Sequence, residues 1–509
     1  MEIGKVISTQ IGPSPTFFAF AISKGKGVHK DQFIKLEIDE GTMVAMVDNV
    51  VKTNRYYARP ETVVEAENLE HLFPVDEWEF LIGEATPLGV ITNGQINRTT
   101  IPPSPGDRVE SVPLELLSKF LQFKEGGLNI GKVVHHDVHA KIGLGKTFQK
   151  HMAILAMSGA GKSYLTSVMI EELLRREKKN GRVSIVIFDI HGEYTSFAET
   201  PPAQFTDFSD NATAVIKVRI PVPELSAREI KTFTNLSNVQ VAELDKVIRE
   251  LRGSLYDFKE LAHEVGTRKI PSKTKGALIR WLIDLHSTGL FGATEDLVTK
   301  KPGEKEEHIS LFDLMKPGHA VIFDMSNHVQ KRIRDFIVLW VSKELFGLRR
   351  KEKIPPLIMF VEEAHNFIPE GTSSSDSPTK WFFETIAREG RKFLCSLVVV
   401  SQRPIKLSTT VLSQCNTHII MRITNPYDLN HIGQSSEGVT GNTLKSLTSL
   451  QVGEALIVGE AVRYPVFIKV RERTSWEKKF SDMEKQAQEF EERMGESVKE
   501  MKGVREAFL

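Results

Sequence analysis

The sequence predicts an α/β fold in which a small N-terminal β-barrel precedes a larger α/β domain, and three observations support this prediction. In residues 1–110, short apolar runs are separated by Gly, Pro, Asp and Asn, as in small barrels. From about residue 130, apolar strand-like runs alternate with amphipathic helical segments, which is typical of α/β domains. A glycine-rich turn at 156–163 joins one of these strands to a helix.

The composition is that of a globular protein with more than one domain. The chain has 509 residues, 40% hydrophobic and 26% charged, and at about 100–200 residues per domain it forms two to four domains. These values exclude collagen-like, disordered and disulfide-scaffold proteins. Because 66 Lys and Arg residues balance 66 Asp and Glu residues, any binding to nucleic acid must use locally concentrated positive charge.

Cysteine usage and hydropathy indicate the compartment. Neither of the two cysteines, Cys395 and Cys415, belongs to a CxxC pair, so the sequence supports no disulfide framework and no structural zinc site. The N-terminus shows no signal-peptide pattern, and no uncharged apolar run reaches about 18 residues. We therefore expect a protein of the reducing cytoplasm with no membrane association.

Shifts in composition divide the chain into four parts. Proline-rich residues 102–106 predict a stiff linker that closes the first domain, and Ser226 and Asn235 are candidate caps of helices within a later insertion. The predicted parts are the barrel at 1–110, a linker at 111–129, the α/β core at 130–471 with a helical insertion at about 222–290, and a charged helical tail at 472–509. The tail is interpreted as an exposed helix with i,i+4 ion pairs, with packing on a neighbouring subunit as the alternative.

The charge is distributed unevenly along the chain. Residues 1–110 hold 10 Lys and Arg against 16 Asp and Glu, a net charge of −6, so the rest of the chain carries +6. An ordinary solvated surface and a surface for docking a partner both explain this charge on the barrel. Either explanation argues against the barrel as the part that holds DNA.

The glycine-rich turn predicts a phosphate-binding loop. Residues 156–163 read AMSGAGKS and match the pattern GxxxxGKS/T except that Ala156 occupies the first glycine position. An apolar strand precedes this loop and a helical stretch follows it, which is the context that such loops require. Backbone N–H groups and the helix N-terminus bind phosphates, while the Lys reaches the β- and γ-phosphates and the Ser hydroxyl binds Mg²⁺. The predicted ATP-binding residues are Ser158, Gly159, Ala160, Gly161, Lys162, Ser163 and Tyr164.

Carboxylates follow two of the apolar strands. Leu357–Val361 is followed by Glu362 and Glu363, which we assign respectively to organising Mg²⁺ and to polarising the attacking water. The run 185–188 ends at Asp189, close to His191 and Glu193. Ligands bind at this edge in open α/β folds, so we predict Asp189 as a Mg²⁺ ligand together with Ser163 and Glu362. His191 is either a ligand or a structural histidine, and the sequence favours the ligand no more than the structural role.

Two further groups fit the handling of a γ-phosphate. Gln402 follows the apolar run 397–400 and is a candidate sensor of that phosphate. Arg388 and Arg391 lie just upstream, and an arginine stabilises charge that develops on a transferring phosphoryl group. The alternative for either arginine is an exposed basic helix end that complements the helix dipole.

These motifs, in this order, resemble the HerA branch of the HerA/FtsK translocases. The resemblance covers about 130–470 and rests on AMSGAGKS (156–163), FDIHGEY (188–194), FVEEAHNFIP (360–369), IAREGRK (386–392), VVVSQRP (398–404) and TNPYD (424–428). It implies a RecA-like core after a small barrel, a hexameric ring, and ATP-driven translocation of double-stranded DNA. It also implies an effector on the ring, either a NurA-like nuclease or another enzyme such as a sirtuin-type NAD hydrolase.

The family's functional residues map onto this sequence one by one. Its phosphate-loop lysine corresponds to Lys162, its catalytic carboxylate to Glu363, its sensor to Gln402, and its arginine finger to Arg388 or Arg391. The family often carries Arg-His before the P-loop strand, whereas this chain carries Lys150 and His151. A role for that arginine therefore does not transfer.

Three functions remain open at this point. The first is a DNA-translocating ring ATPase acting in DNA end processing or anti-phage defence. The second is an ATPase ring that mainly scaffolds and activates an effector, and the third is a P-loop ATPase that remodels protein. Residues 371–377, Lys380, Arg403 and Lys406 are candidate DNA contacts, with ordinary solvated residues as the alternative.

Overall fold

The fold was analysed in a computed structural model of the chain. The structure describes residues 1–9, 11–54, 57, 79–299, 306–328, 330–373, 377–436, 438–439 and 441–477, with a few positions in 484–491. Most of the tail predicted for 472–509 lies outside these residues. In the described part, no helix combines the length and the apolar character needed to cross a bilayer.

The N-terminal part is a closed β-barrel. Within the described residues six strands surround its core, because β2 pairs both with β1 and with β5. Phe18, Phe20, Phe33 and Leu36 are almost fully buried along these strands. The strands of this sheet are β1 (Glu2–Ile7), β2 (Phe18–Ile22), β3 (Phe33–Ile38), β4 (Gly41–Asn54), β5 (Glu79–Thr92), the short β6 (Gln95–Asn97) beside β5, and β7 (Arg108–Ser111).

The proline-rich segment 102–106 remains within the barrel. The sequence had instead suggested a linker that closes this domain. Strand β7 follows the segment and pairs antiparallel with both β1 and β3, so 102–106 is a loop between barrel strands. The predicted linker 111–129 is likewise not a free connection. It contains helix α1 (Leu114–Phe120), whose Leu117 and Phe120 are fully buried in the core of the ATPase part.

The second part is built on a large sheet with a parallel centre. Within the described residues its order is β15-β14-β12-β16-β11-β17-β18-β10-β19-β20-β21-β8-β9, with β13 beside β12, and the seven strands from β12 to β19 are parallel. The strands are β8 (Leu128–Val133), β9 (His139–Ile142), β10 (Met152–Leu155), β11 (Ser184–Asp189), β12 (Ala212–Pro221), β13 (Phe291–Gly292), β14 (Asp296–Thr299), β15 (Glu307–Ile309), β16 (Ala320–Asp324), β17 (Leu357–Val361), β18 (Cys395–Ser401), β19 (Thr417–Met421), β20 (Glu454–Gly459) and β21 (Val466–Val470).

Both faces of this sheet are covered by apolar cores. Along β18, Leu397 and Val399 lie in one core cluster whereas Val398 and Val400 lie in the other, because successive side chains of a strand point to opposite faces. This burial on both sides explains why the central strands read as unbroken apolar runs. Polar groups are therefore placed where the strands end.

Helices cover these faces and form the insertion. The first and second insertion helices begin at Ser226 and Ser237, each through a capping box, so Ser237 and not Asn235 caps the second helix. The helices after α1 are α2 (Leu144–Phe148), α3 (Lys162–Leu174), α4 (Ala227–Thr232), α5 (Asn238–Glu250), α6 (Phe258–Thr267), α7 (Ser272–Ser287), α8 (Leu311–Leu314), α9 (Lys331–Arg350), α10 (Pro378–Glu389), α11 (Thr409–Gln414), α12 (Pro426–Ser435) and α13 (Gly441–Leu447).

The segment after the last strand packs on the P-loop helix. Glu171 on α3 is fully buried and accepts hydrogen bonds from the backbone N–H groups of Thr474 and Ser475, at 2.8 and 2.7 Å. Arg471 completes its shell with an ion pair of 2.8 Å. The start of the predicted tail is thus an extended strap that binds α3.

Candidate nucleotide-binding and catalytic site

The phosphate loop connects β10 to α3 at the carboxyl edge of the sheet. Gly159 and Gly161 have φ angles of +77° and +101°, a region where a side chain is strained, so these two positions require glycine. Ala156, by contrast, has an ordinary negative φ and is fully buried, so its methyl group is accommodated. Ser158 and Gly159 are exposed at the tip of the loop, where a ligand has access.

The lysine of this loop meets two carboxylates. The ammonium of Lys162 is 3.0 Å from Glu362 Oε1 and 3.2 Å from Glu363 Oε1, and all three side chains are buried. Burial disfavours the charged lysine, but the two carboxylates outweigh it and raise the Lys162 pKa. The two glutamates thus hold the cation beside the loop where it would bind phosphate.

Glu363 is placed by an unusual backbone and by its neighbour on β18. Its φ of +43° is rare for a residue with a side chain and sets the turn that follows β17. The amide of Gln402 donates a 2.8 Å hydrogen bond to Glu363 Oε1, because β17 and β18 are adjacent parallel strands. Its other oxygen, Oε2, has no hydrogen-bond partner within the described residues, so it can accept a proton from water.

Glu362 and Glu193 form an acidic pair beside Ser163. Burial, together with the negative charge of Glu193, raises the pKa of Glu362 well above its ordinary value despite Lys162. Burial also opposes ionisation of Glu193, but hydrogen bonds with Glu362 and Ser163 and the charge of Lys162 prevail and lower the Glu193 pKa. Two carboxyl groups that repel each other in this way form a pair whose ionisation a bound cation would favour.

This arrangement fits a divalent cation. Within the described residues, Oε2 of both Glu362 and Glu193 is buried without a hydrogen-bond partner, and such orphaned oxygens are suited to a metal ion or to its bound waters. The same part of the chain holds no cluster of three or more His, Cys, Asp or Glu side chains arranged as a complete metal site. Mg²⁺ itself is usually bound through one or two carboxylates together with phosphates and waters.

Asp189 does not have the free oxygens that the sequence interpretation assumed. Its Oδ1 accepts the backbone N–H groups of His191, Gly192 and Glu193, and its Oδ2 accepts that of Tyr194 at 2.8 Å. Burial raises its pKa to about 6, while these donors act in the opposite direction. Asp189 therefore shapes the turn after β11, and that turn brings Glu193 to the predicted metal position instead. The side chain of His191 is exposed.

The two candidate arginines lie at the opposite edge of the sheet. Both Arg388 and Arg391 are exposed and precede β18, whereas Gln402 follows it. The strand Cys395–Ser401 separates the two edges by about 20 Å at roughly 3.3 Å per residue. Neither arginine can therefore reach the phosphate loop of its own chain.

The remaining loop residue, Tyr164, is engaged by the C-terminal strap. Its hydroxyl accepts a 2.7 Å hydrogen bond from the backbone N–H of Arg473. This contact and the shell of Glu171 connect the start of the tail to the nucleotide site. The sequence signalled neither contact, because about three hundred residues separate the partners along the chain.

One further residue near Glu363 was not singled out from the sequence. The ring nitrogen Nδ1 of His365 lies 3.3 Å from Glu363 Oε2 and 3.1 Å from the hydroxyl of Ser401. The position of His365, two residues after Glu363 at a strand end, was the available signal. Glu193 likewise lies shortly after the end of a strand, β11. The sequence gave no reason to prefer it over Asp189 as a metal ligand, because that preference depends on the conformation of the turn.

Comparisons with known proteins agree with this geometry. Residues 128–345 match the family model described as "Helicase HerA, central domain". Over 470 residues the chain is 27% identical to a probable helicase of Methanocaldococcus jannaschii, covering 86% of this chain and 85% of that protein. Over 499 residues it is 26% identical to the DNA double-strand break repair helicase HerA of Sulfolobus acidocaldarius, covering 92% and 93%.

The fold has a counterpart among solved structures. VirB4 of Thermoanaerobacter pseudethanolicus aligns with a TM-score of 0.50 and 18% identity, covering 69% of this chain and 97% of that chain. At that identity the comparison concerns the fold alone. The matched central-domain model and the relatives that cover most of the chain show that it is similar to the HerA helicases and is an ATPase of that kind.

Proposed function

We propose that this chain is an ATP-driven translocase on double-stranded DNA that works as a ring of six copies. The observation that carries the proposal is the division of the catalytic groups between two edges of one sheet. Lys162, Glu363 and Gln402 meet at the carboxyl edge, whereas the exposed Arg388 and Arg391 precede β18 at the other edge. A second copy, placed edge to edge, would bring such an arginine to this site.

The chemistry follows from the groups at the carboxyl edge. The loop N–H groups and Lys162 bind the phosphates of ATP, and Glu363 accepts a proton from the attacking water as general base. Gln402 holds Glu363 through its amide and responds to the γ-phosphate between them. Ser163, Glu362 and Glu193 would hold Mg²⁺, which neutralises phosphate charge when it is bound.

An arginine from the next copy would complete the site. Charge builds on the γ-phosphoryl oxygens in the transition state, and a guanidinium binds two of them in a planar fork. This dependence on a neighbour couples hydrolysis at adjacent sites of the ring. Such coupling allows the copies to act in a coordinated way on one DNA molecule.

The biological setting is also part of the proposal. The relative from Sulfolobus acidocaldarius is named as a DNA double-strand break repair helicase, and we place this chain in DNA end processing or anti-phage defence. An effector enzyme, a NurA-like nuclease or a sirtuin-type NAD hydrolase, would dock on the ring. The net charge of −6 on residues 1–110 favours the barrel as the docking part, since that charge repels a polyanion.

The same charge division supports a second candidate, a ring that mainly scaffolds and activates its effector. ATP hydrolysis by the full chain, measured with and without duplex DNA, separates the two candidates. Strong stimulation by duplex DNA is expected for a translocase. Stimulation by a partner protein alone would favour the scaffold.

A further inference from the structure

A cavity opens at the carboxyl edge of the sheet, next to the groups assigned to catalysis. Its volume is about 820 Å³. Its described walls come from the end of α4 with the turn after it (232–235), Trp281 on α7, the start of α9 (331–335), the segment after β17 (365–372), the start of α10 (377–379) and the loop after β18 (403–406). Because β16, β17 and β18 are parallel, these segments converge at one edge.

The described lining of this pocket is strongly basic. Lys331, Arg332, Arg403 and Lys406 line it against one carboxylate, Asp335. That carboxylate is already paired with Lys331 at 2.6 Å. Within the described residues Arg403 and Lys406 are exposed and form no ion pair, so no carboxylate competes with a ligand for either of them.

Helix ends add to this field. The helices α9 and α10 begin at the pocket wall, at Lys331 and Pro378, and their first N–H groups and dipoles favour an anion there. Arg332 is oriented by the ring of Trp281, 5.4 Å from its guanidinium carbon. A wide basic pocket with fixed dipoles is suited to a run of phosphates more than to a single small anion.

The pocket is connected to the catalytic carboxylate through one loop. Arg403 donates its backbone N–H to the hydroxyl of Ser401 at 3.1 Å, and that hydroxyl is 3.1 Å from Nδ1 of His365. The same ring nitrogen lies 3.3 Å from Glu363 Oε2. On the other side of Glu363, its Oε1 is held by Gln402, the residue before Arg403. Arg403 thus lies next to groups that contact both oxygens of Glu363: Gln402 at Oε1, and His365, through Ser401, at Oε2.

We propose that this basic pocket holds the phosphate backbone of duplex DNA, and that phosphate contact at Arg403 and Lys406 repositions Glu363 through Ser401, Gln402 and His365. The inference rests on the proposed function and assigns the DNA contact and its coupling to hydrolysis. The described lining offers cations and backbone dipoles, and its aromatic side chains, Phe233 and Trp281, do not form an exposed stack, which favours backbone phosphates over splayed bases.

One of the earlier candidates for DNA contact is removed by the structure. Lys380 is buried, its ammonium donates a 2.8 Å hydrogen bond to the carbonyl of Thr372, and Glu384 lies 3.9 Å away. It therefore supports the segment 371–373 and does not reach the pocket as a free cation. Residues 374–376 lie outside the described part.

The first test is the salt dependence of duplex binding. We expect Lys406→Ala in the full chain to weaken binding of a short blunt DNA duplex and to reduce the slope of log affinity against log salt by about one unit. In the double variant with Arg403→Ala, this slope is expected to fall by about two units, because each cation that binds a phosphate releases about one counterion. Lys353→Ala, an exposed lysine just before β17 at the opposite edge, is the matched control and should keep the wild-type slope.

The second test addresses the coupling. His365→Gln keeps both cations of the loop but changes the contact between Ser401 and Glu363. We expect duplex affinity within about twofold of wild type, while the maximal DNA stimulation of hydrolysis falls at least about tenfold, the range of a mispositioned general base. Equal losses in affinity and in stimulation would overturn the coupling.

The outcomes distinguish this inference from the proposed function. If wild-type protein binds and responds to duplex DNA but the Arg403 and Lys406 variants keep its slope and stimulation, the pocket assignment is overturned and the translocase remains. If the wild-type protein neither binds nor responds to duplex DNA, both are overturned. If single-stranded RNA or an acidic protein binds more strongly than duplex DNA at the same loop, duplex DNA is not the ligand of the pocket and the proposal is wrong.

Discussion

Glu363→Gln tests the catalytic assignment because it keeps the shape of the side chain and removes its charge. The carboxylate lies 3.2 Å from the ammonium of Lys162 and accepts a 2.8 Å hydrogen bond from Gln402. An amide retains one acceptor oxygen for these donors but is a very weak base. Loss of a general base costs about 10²–10⁴ in rate, which is about 3–5 kcal/mol in the activation free energy.

Nucleotide binding should survive this change. Lys162 keeps Glu362 at 3.0 Å, and the loop N–H groups are unaffected. Single-turnover hydrolysis and binding of a fluorescent ATP analogue, measured on the same protein, should therefore diverge by two or more decades, roughly. Hydrolysis at the wild-type rate would refute the assignment, and so would a loss of nucleotide affinity as large as the loss of rate.

Glu362→Gln is the matched comparison, since Glu362 contacts the same lysine but is assigned to the cation. We expect the Mg²⁺ concentration for half-maximal hydrolysis to rise about 10–100-fold, as when a group that supports a metal site is lost. Glu363→Gln should leave that concentration nearly unchanged. A reversed pattern would exchange the two roles.

Three further predictions follow from the same geometry. Lys162→Ala should abolish ATP turnover while circular dichroism shows an intact fold, and normal turnover would remove the phosphate-loop assignment. Mixing the Lys162→Ala protein with Arg391→Ala, or with Arg388→Ala, should restore measurable hydrolysis, because mixed interfaces pair an intact loop with an intact arginine. Loss of a transition-state arginine costs about 10³–10⁵ in rate, so even modest recovery would be visible. If the two inactive proteins exchange subunits and remain inactive, neither arginine acts on the neighbouring site. His151 is buried, accepts the N–H of Leu397, and its burial lowers its pKa to about 4 from an ordinary value of 6.5. Its contribution to stability is therefore complete above pH 6.5 and lost as the pH falls towards 4, so the melting temperature of His151→Gln should depend less on pH over that window, and identical pH profiles would refute the assignment.

Local patterns predicted much of the site. The phosphate-loop pattern predicted the place of Lys162, and apolar runs that end in polar residues predicted the places of Glu363 and Gln402, because strands buried on both faces leave polar groups at their ends. The alternation of strands and helices likewise predicted the α/β class. These features depend on residues close together in the sequence, where spacing determines geometry.

The parts that sequence reasoning missed depend on distant partners. The return of β7 to the barrel is set by pairing with β1 and β3, which no local signal after a proline-rich segment reveals. The sequence could not distinguish Asp189 from Glu193 as a metal ligand. In the structure, four backbone N–H groups of the turn after β11 donate to the Asp189 carboxylate, and Glu193 keeps an oxygen without a partner in the described residues. Lys380 looked like a surface lysine and is buried, since its helix packs its ammonium against the preceding loop.

In the proposed function, ATP hydrolysis at this site moves the protein along duplex DNA. The most direct measurement is the displacement of a bound protein block from the end of a duplex by the full chain with ATP and Mg²⁺. We expect the wild-type protein to clear the block at a rate that follows hydrolysis, while Glu363→Gln binds the same duplex and leaves the block in place. Rapid hydrolysis in the presence of duplex DNA with the block still bound would contradict translocation and favour the scaffold.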